Sequence, residues 1–341
     1  MKRIPLIILY GLFILLIGCK EPDPFKVLEA SYFYEYIEAF NENDNELYKQ
    51  YLPNDSAFAF LSQNIPIIEI PDKEIEEIYF FRWWTFRKHI KQSEDGFVIT
   101  EFLPKVPWSG KHNTINCPAG HHIYEGRWLR DPIYISDYID FWLNKSGDGI
   151  RKYGFWVADA ILAFQKVHRN DSLIASQLDL LVDNYKEWER TRLDSNKMLF
   201  WQLDGLEGME VSVSGRILNG GKPIGGMEAI RPSMNSYMFG DARAIATLAK
   251  LTNKQSLAQD FDAKAQLIKQ EIQQRLWNEE LDFFTVLPRA YSKASKPINV
   301  RELIGYTPWY FNLPDDRINY SIAWNKLMDT RGFYAPYGLT V

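Results

Sequence analysis

Carboxyl, indole and guanidinium groups recur together in three stretches of this chain. The first is WQLDGLEGMEVSVSG, residues 201–215, where Trp201 opens a run holding Asp204, Glu207 and Glu210. The second is GHHIYEGRWLRD, residues 120–131, with His122, Glu125, Arg127, Trp128 and Asp131. The third pairs Trp156 and Asp159 in YGFWVADA with Arg231, Asn235 and Tyr237 in RPSMNSYMFGDA. In any one stretch the plain reading is salt bridges and helix caps around an aromatic plug. Asp131 before Pro132 suits an N-cap, and Ser233 or Asn235 could cap the helix that follows. Three such stretches at the starts of successive helices suggest more, because helices set in a ring bring those ends to one face.

The chemistry this inventory suits is glycoside hydrolysis. That reaction needs one protonated carboxylic acid for the leaving oxygen and a second carboxylate as base or nucleophile. Aromatic faces and Arg, Asn or His donors then hold the sugar. No Gly-rich phosphate loop and no Ser/His/Asp pattern competes with this reading.

The elements that must position these groups read as mostly helical. Segments near 25–40, 132–144, 154–168 and 171–192 carry helical periodicity. In 73–91, Ile75, Ile78, Tyr79, Trp83, Phe86 and Ile90 mark one apolar face. In 171–192 the stripe is Leu178, Leu181, Val182, Tyr185 and Trp188. Helices over 233–251 and 255–277 are separated by Thr252, Asn253 and Lys254, which predicts an antiparallel hairpin. Strand signals at 97–102, 199–203 and 283–287 are too scattered for a doubly wound sheet. Long loops over 104–131, 199–232 and 288–317 are where binding elements are expected.

Bulk properties limit the function classes. The 341 residues are 46% hydrophobic, with 11 Trp, 19 Tyr and 21 Phe, ample for a large core with aromatic surface to spare. A net charge of −5 without a basic block gives no footing for nucleic acid. Lys2 and Arg3 precede the apolar run Ile4 to Ile17, as in a secretory signal. The run ends in Leu16-Ile17-Gly18-Cys19, which resembles a bacterial lipobox. The resemblance implies a signal peptide over 1–19, a lipid on Cys19, a tether over 20–24 and one domain over 25–341. It also implies a lipid-anchored location at the outer membrane, facing the periplasm or the cell surface. Lys20-Glu21-Pro22-Asp23 is similar to a surface-export signal. Cys117 then has no cysteine partner, and its neighbours His121, His122 and Glu125 lack the paired spacing of a zinc site, so neither metal nor cofactor is expected.

Residues 231–284 resemble glycoside hydrolase family 63 and the bacterial mannosylglycerate-hydrolase-like proteins. The resemblance is carried by Asn235-Ser236-Tyr237, Leu276-Trp277-Asn278 and Phe283-Phe284, and extends over about 120–338. It implies an (α/α)6 toroid of the six-hairpin type and inverting hydrolysis of an α-linked glycoside or oligosaccharide. The stretch 120–131 is similar to the family loop bearing a Trp-Asp pair at the first subsite, here Trp128 and Asp131. The family's general-acid segment maps onto Gly208-Met209-Glu210-Val211-Ser212, which makes Glu210 the implied acid. Glutamate stands where the family has aspartate, and Val211 and Val213 replace its asparagine and proline; a misplacement of about an ångström can cost ~100-fold in rate. RGFYAPYGLTV, 331–341, is similar to a segment that in relatives precedes the catalytic-base glutamate. The expectation is therefore a toroid incomplete at its C-terminus, a truncated chain whose own activity is in question, unless Glu125 or Glu228 supplies the base. Two other readings remain: a glycan-binding lipoprotein without catalysis, and a polysaccharide lyase using His121, His122 or Tyr124.

Overall fold

The computed structural model of the chain describes residues 28–222, 227–289, 296–316 and 320–340. The proposed signal peptide, Cys19 and the tether lie outside them. Three α-helices come first among the described residues: α1 (Tyr34–Glu42), α2 (Asn54–Asn64) and α3 (Lys73–His89). A hairpin of β1 (Ile90–Ser93) and β2 (Gly96–Ile99) follows and packs on α5 (Ile133–Asp140). Before it, α4 (Ala119–Gly126) occupies part of the expected 104–131 loop. After α5 a π-helical turn spans Phe141–Lys145. Then come α6 (Val157–Gln165), α7 (Asp171–Arg192) and the short α8 (Val213–Leu218). The long hairpin is α9 (Pro232–Leu251) and α10 (Gln255–Arg275), and α11 (Thr307–Tyr310) comes last.

The α9–α10 hairpin forms where the three-residue connection predicts it. Asn253 turns the chain at φ 60°, a left-handed conformation that asparagine tolerates. Phe261, Ala265, Ile268, Ile272 and Leu276 are buried on the inner stripe of α10. On α7 the stripe Leu178, Leu181, Val182, Tyr185 and Trp188 is buried as its period requires, and Asn170 accepts the Leu173 N–H to start the helix. Helix α9 is buried along most of its length and touches α6, α7 and α10.

Helix α3 buries Trp83 and Phe86, with Ile90 just past its end, as its stripe predicts, but departs from expectation in its first half. Ile75 and Ile78 are exposed, while Glu76, Phe80, Trp83, Trp84 and Arg87 are buried. The Glu76 carboxylate gathers the hydroxyls of Tyr32 and Tyr36, the Lys73 ammonium and the Ile70 N–H. Arg87 is bonded to the Leu52 carbonyl and the Asn54 side chain. In the first half of the helix Glu76, not the two isoleucines, therefore lies inward beside Phe80.

Short strands tie the helix ends together. β3 (Leu193–Asp194), β4 (Leu199–Gln202), β5 (Ala229–Ile230) and β8 (Leu287–Pro288) form one antiparallel sheet in the order β3-β4-β5-β8. β6 (Trp277–Asn278) pairs with β7 (Phe283–Phe284). The mostly helical chain, with helix pairs joined by short strands, is the toroid-type glycosidase architecture expected. Among the described residues no helix is long and apolar enough to cross a membrane.

Candidate functional site

The loop from β4 to α8 holds three acids in three different surroundings. Asp204 is buried and organises the loop: Ser212 Oγ donates to its Oδ2 at 2.7 Å and the Gly205 N–H donates to its Oδ1 at 3.0 Å. Glu207 turns inward to the start of α9, where its carboxyl accepts from Ser233 Oγ, and Arg231 Nη1 lies 3.9 Å away. An acid at a helix N-terminus meets unpaired N–H groups and the positive end of the dipole. Burial still dominates and raises the Glu207 pKa, against the pull of Arg231. Glu210 alone of the three is exposed.

Gly208 sets the turn between Glu207 and Glu210. It has φ 77°, and a Cβ there would lie 2.6 Å from Cys117 Sγ. Three carboxyls converge on that thiol. Burial first, then Glu101, Glu207 and Glu210, push the Cys117 pKa up to about 11, so it stays a neutral thiol. Glu101, just past β2, has a raised pKa through burial and then the charge of Glu210. Its Oε2 is buried without a hydrogen-bond partner among the described residues. Glu101 escaped sequence reading because nothing at 97–102 marks an acid that meets a loop over a hundred residues away.

Beside the acids lies an aromatic group centred on Trp156. Its ring is 4.8 Å from those of His121 and Tyr237 and 5.7 Å from that of Tyr310. The approach needs Gly120, because a Cβ there would meet the indole at 2.6 Å. Trp156 is buried and Tyr237 half-buried, whereas Tyr310 is 49% and Trp128 47% exposed. Arg127 lies over the rings of Tyr124 and Trp128, at 4.4 and 5.0 Å. Tyr124 donates its hydroxyl to Asp159, whose pKa is raised by burial. Asp159 begins α6, whose first turn is held by Asp241 of α9: Oδ1 accepts the N–H groups of Ala158 at 2.8 Å and Asp159 at 3.1 Å. Tyr310, in the aromatic run TPWYF, is a second residue that sequence reading passed over.

The remaining candidates serve the frame. Arg231 is fully buried and bonded to the Gln202 carbonyl. Asn235 does not cap α9; it accepts the Phe200 N–H at 2.7 Å and donates to the Phe200 carbonyl at 2.8 Å, clamping α9 to β4. Ser233 likewise lies inside α9, and the residue before that helix is Arg231. Trp201 is 7% exposed, beneath the guanidiniums of Arg192 and Arg289. His122 bonds the Tyr138 hydroxyl at 3.1 Å, and burial pushes its pKa down to about 3, so it is neutral. Glu125 pairs with Arg82 at 2.8 Å, and Glu228 pairs with Arg289. Asp131 is exposed and accepts the Ile133 N–H at 3.0 Å, near the cap role expected. Glu94, Asp95 and His112 bring ligand-type atoms within 4.8 Å of one another, but the Lys111 ammonium already bonds both carboxylates.

Comparison with known proteins agrees with this architecture. The family model of the mannosylglycerate hydrolase MGH1-like glycoside hydrolase domain matches residues 111–341. A solved structure described as "Sialidase" is 39% identical, with a TM-score of 0.84 over 92% of this chain. The chain spans 28% of that one. A GH78 family rhamnosidase of Bacillus sp. GL1 is 12% identical with a TM-score of 0.47, covering 67% of this chain and 23% of its own. No curated protein sequence matches the chain. The chain belongs to the mannosylglycerate hydrolase MGH1-like glycoside hydrolases, a six-hairpin glycosidase family.

Proposed function

We propose that this chain acts on an α-linked glycoside or oligosaccharide, with Glu210 as the carboxyl that reaches the glycosidic oxygen and donates its proton. The observation that carries the reading is the sorting of the loop acids. Asp204 and Glu207 are committed to internal bonds, and Glu210 is exposed on the same loop, within the field of Glu101. Two carboxyls whose surroundings differ are the raw material of acid catalysis. Glu101 is the half-buried neighbour, its pKa raised by burial and then by the charge of Glu210. Trp128, Arg127 and Tyr310 offer an open aromatic and cationic surface for the sugar, with Asp159 and Trp156 behind them.

Inverting hydrolysis is part of the proposal and follows the family resemblance. It needs a second carboxylate across the bond, with roughly 6.5–9.5 Å between the two carboxyl groups to admit a water. The test is a panel of α-glycosides offered to the chain and to its Glu210→Gln variant, with the product anomer read by NMR. Retained configuration would refute inversion, and equal rates in both proteins would remove Glu210 from the mechanism.

A second reading, sugar capture without cleavage, draws support from the exposure of Trp128 beneath Arg127. Binding lost in Trp128→Ala but kept in Glu210→Gln, with no turnover in any protein, favours it. A lyase is less well supported: burial and its bond to Asp159 raise the Tyr124 pKa, the opposite of what a phenolate base requires. We further propose that Cys19 carries lipid and anchors the chain at the outer membrane. The lipobox-like run before it supports this, and loss of radiolabelled palmitate from a Cys19→Ser variant tests it.

A further inference from the structure

Two cations share one indole at the four-stranded sheet. Arg192 closes α7 and Arg289 follows β8, and their guanidinium carbons lie 4.3 and 3.7 Å from the Trp201 ring centroid. These distances put two like charges within about 8 Å of each other, no more than a Debye length at physiological salt. Among the described residues Glu228 is the one carboxylate paired with them, bonded to Arg289 and itself 47% exposed. Arg192 forms no ion pair with a carboxylate among the described residues. Its guanidinium is partly desolvated; that burial and the charge of Arg289 lower its pKa, with only Glu228 opposing.

Covering an indole requires one guanidinium or an aliphatic chain, not two cations held together with half their charge unbalanced. The indole is no open platform for a sugar ring either, since these side chains already occupy it. What the arrangement can still accept is an anion. A guanidinium presents a planar fork of donors that matches a carboxylate or sulfate, and Glu228 fixes the direction of one fork.

We propose that Arg192 and Arg289 form a subsite for the anionic group of an acidic sugar, either a uronate carboxylate or a sulfate ester. This names a substrate class for the glycosidase reading and rests on that reading only for the sugar. Binding is measured at equilibrium, so a chain that fails to hydrolyse anything leaves the inference intact.

The experiment is calorimetry on the full chain with glucuronate, glucose 6-sulfate, glucose and inorganic sulfate, at low and at physiological salt. At least one acidic sugar should bind roughly tenfold or more tighter than glucose, a difference of about 1.4 kcal/mol. That affinity should weaken as salt rises and fall about tenfold in Arg192→Gln. Arg192→Lys keeps the charge and the stack but loses the fork, so it should bind the acidic sugar more weakly than wild type with unchanged melting. Glucuronate alone or glucose 6-sulfate alone identifies the group recognised. Equal affinity for glucose, or unchanged affinity in both Arg192 variants and Arg289→Gln, overturns the proposal. Inorganic sulfate binding as tightly as the acidic sugars means an adventitious ion only and overturns it as well.

Discussion

Asn235→Ala tests the link between the helical frame and the loop of acids. Asn235 is wholly buried, and its amide satisfies both backbone groups of Phe200, itself buried in β4. Its Nδ2 also donates to the Arg231 carbonyl at 2.9 Å. Alanine strands the Phe200 N–H and C=O, and each unsatisfied buried group costs about 1–3 kcal/mol. The expected loss is therefore about 2–6 kcal/mol, against a total stability on the order of 5–15 kcal/mol. Urea unfolding should show a lower midpoint at unchanged slope. Ser236→Ala is the control: it lies in the same helix with the same burial, and its Oγ has no partner among the described residues. That variant should stay within about 0.5 kcal/mol of wild type. A loss under about 1 kcal/mol in Asn235→Ala, or equal losses in the two variants, would refute the clamp.

Other outcomes follow from the same geometry. Burial holds the Asp241 pKa well above the carboxylate range. Its stabilising contribution is complete below the unfolded value of about 4 and is lost as pH rises through the folded value. Asp241→Asn keeps an acceptor for Ala158 and Asp159, so urea midpoints measured across that range should decline less steeply with pH than in wild type; parallel profiles would contradict this. Gly208→Ala adds left-handed strain of roughly 1–2 kcal/mol and a contact with Cys117 Sγ. Thermal melting should show part of the loss recovered in the Gly208→Ala/Cys117→Ala double variant. Trp128→Ala removes an exposed ring, so the melting temperature should hold while oligosaccharide affinity falls about tenfold in calorimetry.

Sequence reading succeeded where local pattern and packing agree. The stripe of α7 is large apolar residues at helical period, and three residues between α9 and α10 leave only a hairpin. It failed where a distant polar partner decides. Ile75 and Ile78 fit the stripe that buries Trp83 and Phe86, yet at their end of α3 it is Glu76 that lies inward, held by its hydroxyl, ammonium and N–H partners. Asn235 sits where caps are common, but its partner in β4 is thirty-five residues back in the chain. The family resemblance singles out Glu210 among the loop acids, and their residue types alone do not show that Asp204 and Glu207 are turned inward. Glu101 meets that loop through tertiary packing that no local pattern records.

The assignment of Glu210 as the carboxyl that meets the substrate rests on its exposure beside two acids turned inward. It is tested most directly by single-turnover hydrolysis of an α-glycoside by wild type and Glu210→Gln, with melting curves matched. Loss of a general acid typically costs 10²–10⁴-fold, so the account predicts a fall of at least ~100-fold at unchanged stability. Hydrolysis at the wild-type rate by Glu210→Gln would contradict it.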